Sequence, residues 1–355
     1  MAGQGPRQTS RRTLLKHVAS GAGLGVGALL AGCRPDDDGG GSPREGRRRR
    51  LRRLRAAFSS AGLEATWNQL GRQAAELWGE FLDVDVEWFD GDLDAQTQRE
   101  KIESIVDQDW DFCAFQAHQT GILEEPVKRL KKRGIPVISM DTLLVERDRL
   151  RDVGVWTQIG ADHVYMAESS TQYLVNKINE QGKLIHIGGR SAHSVAQDRE
   201  KGFANIVAEY PDVEVIGGGV QWCDGGPERA RETFEALLKQ SEEPIAGAFF
   251  HSDDLALACV PALEGTRHAG MVVTAVDGQQ AGLNAVRDGK LAATVVNPAC
   301  MIHGWSLVIG QFVVRNREKA DNLPLEIICP SPLVAREMGN LDAVFYLADP
   351  KHCLV

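Results

Sequence analysis

From residue 54 the chain alternates short, continuously apolar runs with longer stretches whose apolar residues recur at helical spacing, and this rhythm repeats almost to its end. Apolar runs of this kind are strands buried on both faces. Burial on both faces requires a parallel sheet, with each strand returned to its neighbour by a crossover helix. The runs fall at 54–59, 84–89, 111–115 and 135–140, with helical patterns between them around 95–106 and 123–132. In the segment after the first run, Trp67, Leu70, Ala74, Leu77, Trp78 and Phe81 form one apolar stripe that can pack on a sheet. After the charged stretch 146–152 the rhythm restarts, with strands near 156–159, 184–187, 213–216, 246–250, 272–275 and 292–296. Helices intervene near 163–179, 195–210, 227–240, 254–263 and 279–288, and a last one covers about 303–314. The 355 residues therefore predict an α/β protein of two doubly wound parallel-sheet lobes joined by a hinge. Residues 54–145 with about 298–325 are assigned to the N-terminal lobe, 146–297 to the C-terminal lobe, and 326–355 to a hinge strand and tail. A cleft is expected at the carboxyl ends of both sheets, where open α/β folds bind ligands.

Charge is distributed unevenly. Of 40 Lys+Arg and 49 Asp+Glu, thirteen and four lie in the first 55 residues, leaving 27 basic and 45 acidic residues in the body. A body this acidic is unsuited to gripping phosphate backbones, so nucleic acid is not an expected partner. Ser10-Arg11-Arg12-Thr13-Leu14-Leu15-Lys16, followed by the glycine-rich apolar run 18–30, resembles a twin-arginine export signal. The run is too short for a membrane span. Leu30-Ala31-Gly32-Cys33 resembles the lipobox of bacterial lipoproteins, in which the cysteine is lipidated. The resemblance implies a chain anchored to a membrane through Cys33, on the extracytoplasmic face. Residues 34–53, rich in Asp, Gly, Pro and then Arg, read as a flexible basic tether. The glycines at 21, 23, 25 and 27 lie inside the signal, not between a strand and a helix, and so do not form a dinucleotide loop. Cys113, Cys223, Cys259, Cys300, Cys329 and Cys353 show no C-x-x-C spacing, which argues against a structural zinc site, and their pairing stays open. No cofactor or metal is called for.

Five ordered segments carry a further likeness: residues 135–141 ending in Met140-Asp141; Ile159-Gly160-Ala161-Asp162-His163; Gly188-Gly189 with Arg199-Glu200-Lys201-Gly202-Phe203; His251-Ser252-Asp253-Asp254; and Val276-Asp277-Gly278 followed by residues 288–297. Together they resemble the periplasmic sugar-binding proteins of the ribose/galactose-binding type over about residues 54–330. The resemblance implies that Asp141, Asp277 and Asn297 contact a sugar, with Arg199 either forking two hydroxyls or serving the fold. Gln197 stands where ribose-type members carry a second arginine, and Ser252 where asparagine is usual. Ser60 and Trp67 fall in the first strand-to-helix loop, where the family places polar and stacking groups. Trp67 either covers a sugar ring or belongs to the helix stripe. Gln116, His118, Gln119, Trp156, Trp222 and Asp224 are weaker candidates of the same kind.

The same resemblance implies a monomer that delivers its ligand to ABC permease subunits in the membrane. The alternative is a lipoprotein that reports its ligand to a receptor kinase or chemoreceptor. G-x-S-x-G, H-E-x-x-H and phosphate-loop motifs are absent from the sequence. A glycosidase would have to use Asp141 with Asp277, and the two-lobe pattern favours binding over catalysis.

Overall fold

The structure is a computed structural model that describes residues 52–224, 226–349 and 352. The signal and Cys33, most of the tether, and Cys353 lie outside the described residues.

In chain order the elements are β1 (Leu54–Ser60), α1 (Thr66–Leu82), β2 (Val84–Asp90), α2 (Ala95–Ile105), β3 (Phe112–Phe115), α3 (Glu124–Lys132), β4 (Val137–Met140), α4 (Leu150–Val153) and β5 (Val155–Ala161). They continue as α5 (His163–Lys177), β6 (Gly182–Gly188), α6 (Ser194–Val207), β7 (Val213–Val215), β8 (Gln221–Trp222), α7 (Pro227–Gln240), β9 (Gly247–Phe250), α8 (Asp253–Cys259), β10 (Val272–Asp277), α9 (Gln280–Asp288) and β11 (Ala293–Val296). The chain closes with α10 (Ala299–Arg315), α11 (Arg317–Ala320), β12 (Glu326–Cys329), β13 (Leu333–Ala335) and α12 (Leu341–Leu347). The first sheet has the order β12-β5-β4-β3-β1-β2, all parallel. The second runs β13-β11-β10-β9-β6-β7, with β8 also on β6 and β13 antiparallel to β11.

Each sheet is covered on both faces, which is why its strands read as unbroken apolar runs. Along β1, Ala57 faces a core with Ile102, Leu123 and Leu130, while Ala56 and Phe58 face Phe112, Ile138 and Ile302 on the other side. Along β9, Ala248 and Phe250 join Phe234 and Leu255, and Phe249 joins Met166 and Phe203. Cys113, Cys223, Cys259 and Cys329 are buried free thiols, and Cys300 is buried as well. Among the described residues, no helix is long and apolar enough to cross a membrane.

The lobe limits differ from those expected. The strand near 156–159, assigned to the C-terminal lobe, is β5, and it pairs with β4 in the first sheet. The chain therefore passes between lobes after β5 rather than at residue 146. Residues 326–355 are more than a hinge and tail: β12 extends the first sheet beside β5, and β13 and α12 complete the second lobe. The lobes are joined by three crossings, after β5, β11 and β12. Two helices shift for local reasons. The pattern at 254–263 leaves α geometry after Cys259, where Pro261 enters a 3-10 turn, and α10 begins directly after Pro298, before the expected residue 303.

Candidate functional site

The carboxyl ends of the strands in both sheets face each other across a cleft of about 600 Å3. From the first lobe it is lined by the loop after β1 (Ala61, Glu64), by Trp67 and Asn68 of α1, by Gln116 after β3 and by Asp141 after β4. From the second come Arg190 and His193 after β6, Asp224 before α7, Ser252 and Asp254 at the start of α8, and Asp277 at the end of β10. Asn297 lies at the second crossing. Asp141 and Asp277 both have positive φ, 51° and 112°. Such conformations cost about 1–3 kcal/mol for a residue with a Cβ and are typical of ligand sites. Behind Asp277, Gly278 also has positive φ (63°), and a Cβ there would lie 2.7 Å from the Val296 side chain. Only glycine fits that turn.

A continuous polar line runs along the cleft floor from one lobe to the other. Asp141 accepts from Nε2 of His163 at 3.0 Å, from Gln116 Nε2 at 3.2 Å and from Asn297 Nδ2 at 3.4 Å. Arg199 donates from Nε to His163 Nδ1 at 3.3 Å, from Nη1 to the His251 carbonyl and from Nη2 to Asp277 Oδ1 at 3.1 Å. A guanidinium only donates, so Nδ1 of His163 is the acceptor and its Nε2–H points at Asp141. His251 is held in turn, because Nδ1 accepts from the Gly189 N–H at 3.4 Å and Nε2 meets Nε2 of His186 at 2.8 Å.

The two carboxylates sit in opposite electrostatic states. Burial alone would raise Asp141, but His163, Arg199 and Gln116 outweigh it and hold the carboxyl at about 2. Burial pushes Asp277 up to about 7; Arg199 opposes the rise, and Asp254 and Asp141 add to it. Burial also holds His193 down to about 3, so its imidazole is neutral at ordinary pH.

Six of the eight expected ligand residues line the cleft: Trp67, Asp141, Arg199, Ser252, Asp277 and Asn297. Ser60 and Gln197 do not. Ser60 is enclosed at the end of β1, and Gln197 is exposed on α6 with its amide donating to the Ser191 carbonyl at 3.0 Å. Residue 197 lies two positions before the inward-facing Arg199, and on a helix that spacing turns it away from the face Arg199 occupies. Trp67 belongs to the apolar stripe of α1 and also reaches the cleft. It is buried against His303 (ring centroids 5.2 Å apart) with its indole N–H donating to the Asn297 carbonyl at 3.1 Å. Ser252 caps α8, accepting from Leu255 N at 3.2 Å.

Sequence reasoning missed Asn68, His163, Arg190, His193 and Asp254 as site residues. Arg190 stands directly after the Gly188-Gly189 strand end, and His163 closes one of the five segments, so both carried a positional signal. Asn68 carried none.

The lobes also meet beside the cleft. Thr66 Oγ1 donates to Asp254 at 3.2 Å, Ser194 Oγ accepts from Leu143 N at 3.1 Å, Arg147 pairs with Asp198 at 3.1 Å, and the rings of His118 and His193 lie 5.4 Å apart.

Residues 56–309 match the periplasmic binding protein domain family. The xylitol-binding protein of Mycolicibacterium smegmatis is 21% identical over 70% of this chain and 69% of its own length. The galactofuranose-binding protein of Escherichia coli is 26% identical over 68% of this chain and 76% of its own length, and the ribose import binding protein of Salmonella typhimurium is 26% identical over 57% and 64%. Among solved structures, that of a galactofuranose binding protein superposes with a TM-score of 0.74 at 21% identity, over 83% of this chain and 98% of that one. Two lobes crossed three times by the chain, a polar cleft between them and a match over most of the body lead to one assignment: the chain belongs to the periplasmic binding protein family.

Proposed function

We propose that this protein captures a small polyhydroxylated ligand, a monosaccharide or sugar alcohol, outside the cytoplasm and delivers it to the membrane subunits of an ABC importer. The observation that carries this reading is the polar line Asp141–His163–Arg199–Asp277, which fixes carboxylates of both lobes at the floor of one cleft. Ionised carboxylates and amide oxygens accept from hydroxyls, and a ligand touching both walls binds the closed arrangement better than an open one. Relatives named for xylitol, galactofuranose and ribose support the ligand class, and an import binding protein among them supports delivery to a transporter. Binding rather than catalysis follows from the same relatives.

In this reading the chain acts as a monomer, exported through its twin-arginine-like signal and held to the membrane by a lipid on Cys33. A second use is favoured by one neighbour, the fructose binding periplasmic domain of a hybrid two component system, which superposes with a TM-score of 0.72. There, closure would report the sugar to a sensor.

Thermal unfolding with pentoses, hexoses, sugar alcohols and inositols tests the ligand class. At 100 times its dissociation constant a ligand should stabilise the protein by about 2.7 kcal/mol. Stabilisation only by amino acids or nucleosides would remove the polyol reading and leave the fold standing.

A further inference from the structure

The cleft wall carries more negative than positive charge. The carboxylates of Glu64, Asp141, Asp224, Asp254 and Asp277 line it. Among the described residues, the guanidiniums of Arg190 and Arg199 alone stand against them. Arg199 is turned inward onto Asp277. Arg190 faces Asp224 and Glu64 through space, and among the described residues Glu64, Asp224 and Asp254 form no ion pair. Asp254 has one hydroxyl partner, Thr66, and burial raises its carboxyl.

Unfilled hydrogen-bonding positions point the same way. Asn68 and Asn297 are each 4% exposed and line the cleft, and their Oδ1 atoms have no partner. Their orientation is fixed, because Nδ2 of Asn68 donates to the Gly62 carbonyl at 2.6 Å and Nδ2 of Asn297 to the Asp141 carboxylate at 3.4 Å. Two buried acceptors therefore wait for donors beside an excess of carboxylate. A hydroxyl supplies one donor and no charge, whereas an ammonium supplies three donors, no acceptor and a positive charge. We propose that the ligand is an aminated polyol, an amino sugar or aminocyclitol, whose ammonium group is received by the cleft carboxylates. This rests on the polyol reading above and adds the charge of the ligand to it. Charge complementarity selects against wrong partners as well as for the right one, so a neutral sugar of the same shape should lose affinity.

The test is calorimetric titration of the full chain near neutral pH with glucosamine, galactosamine and an aminocyclitol, each beside its neutral parent and with N-acetylglucosamine as the uncharged amide. The amino form should bind about tenfold more tightly or better, and acetylation should erase the advantage. Asp254→Asn should narrow the preference, as should Glu64→Gln, whose position at the exposed rim spares the fold. A neutral parent that binds as tightly as its amino form overturns this proposal and leaves the polyol reading in place. Failure of every sugar and cyclitol to bind overturns both.

Discussion

The two walls of the cleft present the same residue at equivalent places in opposite states. Asp141 follows β4 in the first lobe and Asp277 ends β10 in the second, both with left-handed backbone and both buried. Asp141 is met by three donors and stays ionised down to about 2. Asp277 has Arg199 at 3.1 Å and a long 3.5 Å contact from Gln279, and it titrates near 7. The difference lies in donor supply. Residues of both lobes and of the second crossing converge on Asp141, so its charge is compensated whether or not ligand is present. Asp277 shares its surroundings with Asp254 and has one cation, so part of its compensation is left to whatever enters the cleft.

The largest expected effect separates the two partners of the buried pair. Asp277→Ala leaves the Arg199 guanidinium buried without its carboxylate, and it cannot discharge by losing a proton, so the variant should lose about 3–5 kcal/mol of stability. Arg199→Ala leaves Asp277, which already titrates near 7 and can take up a proton. That loss should be smaller, about 1–3 kcal/mol. Urea unfolding of both variants measures the order, and a larger loss in Arg199→Ala would break the account of Asp277 as the adaptable member.

A pH series sharpens the comparison. Unfolded aspartates titrate near about 4. Between there and about 7 the folded state keeps a proton on Asp277 that the unfolded chain has released, so its contribution to stability falls as pH rises through that window. Asp141 does the opposite: its contribution, about 2–3 kcal/mol, is complete above about 4 and is lost as pH falls towards about 2. His186 and His193, both held near 3, also lose stability as pH falls below about 6.5, and because Asp141 acts on His193, Asp141→Asn alters that share of the acid limb as well. Asp277→Asn should flatten the neutral limb of the stability curve, and Asp141→Asn the acid limb. If each variant flattened the other's limb, the two states assigned here would be reversed.

The sequence made the architecture legible because each parallel strand is covered on both faces and so forms an uninterrupted apolar run, as in Phe112–Phe115 and Gly247–Phe250. It did not show that β5 belongs to the first sheet. Neighbouring parallel strands look alike whichever sheet they join, and only pairing with β4 decides. The edge strands β12 and β13 are short and partly exposed, and their pattern is correspondingly weak. At the site, residues that end a strand were found by position: Asp141, Asp277 and Asn297. Of the residues that reach the cleft from a helix, Trp67 and Arg199 were found through the family resemblance, whereas Asn68 and Asp254 were not, because helical spacing reports the face turned to the core and not the end turned to the ligand.

The smallest effect tests that limit on two residues that both stood as ligand candidates. Ser252 accepts from Leu255 N as the cap of α8 and also lines the cleft, so Ser252→Ala should cost about 1 kcal/mol of stability together with some ligand affinity. Gln197 is exposed on α6, and its amide donates to the Ser191 carbonyl. Gln197→Ala should therefore change stability by no more than about 0.5 kcal/mol and leave ligand affinity untouched. Thermal unfolding with and without ligand reads both quantities from one series. A binding defect in Gln197→Ala would mean that α6 presents its 197 face to the ligand, and the inward role given to Arg199 would have to be shared.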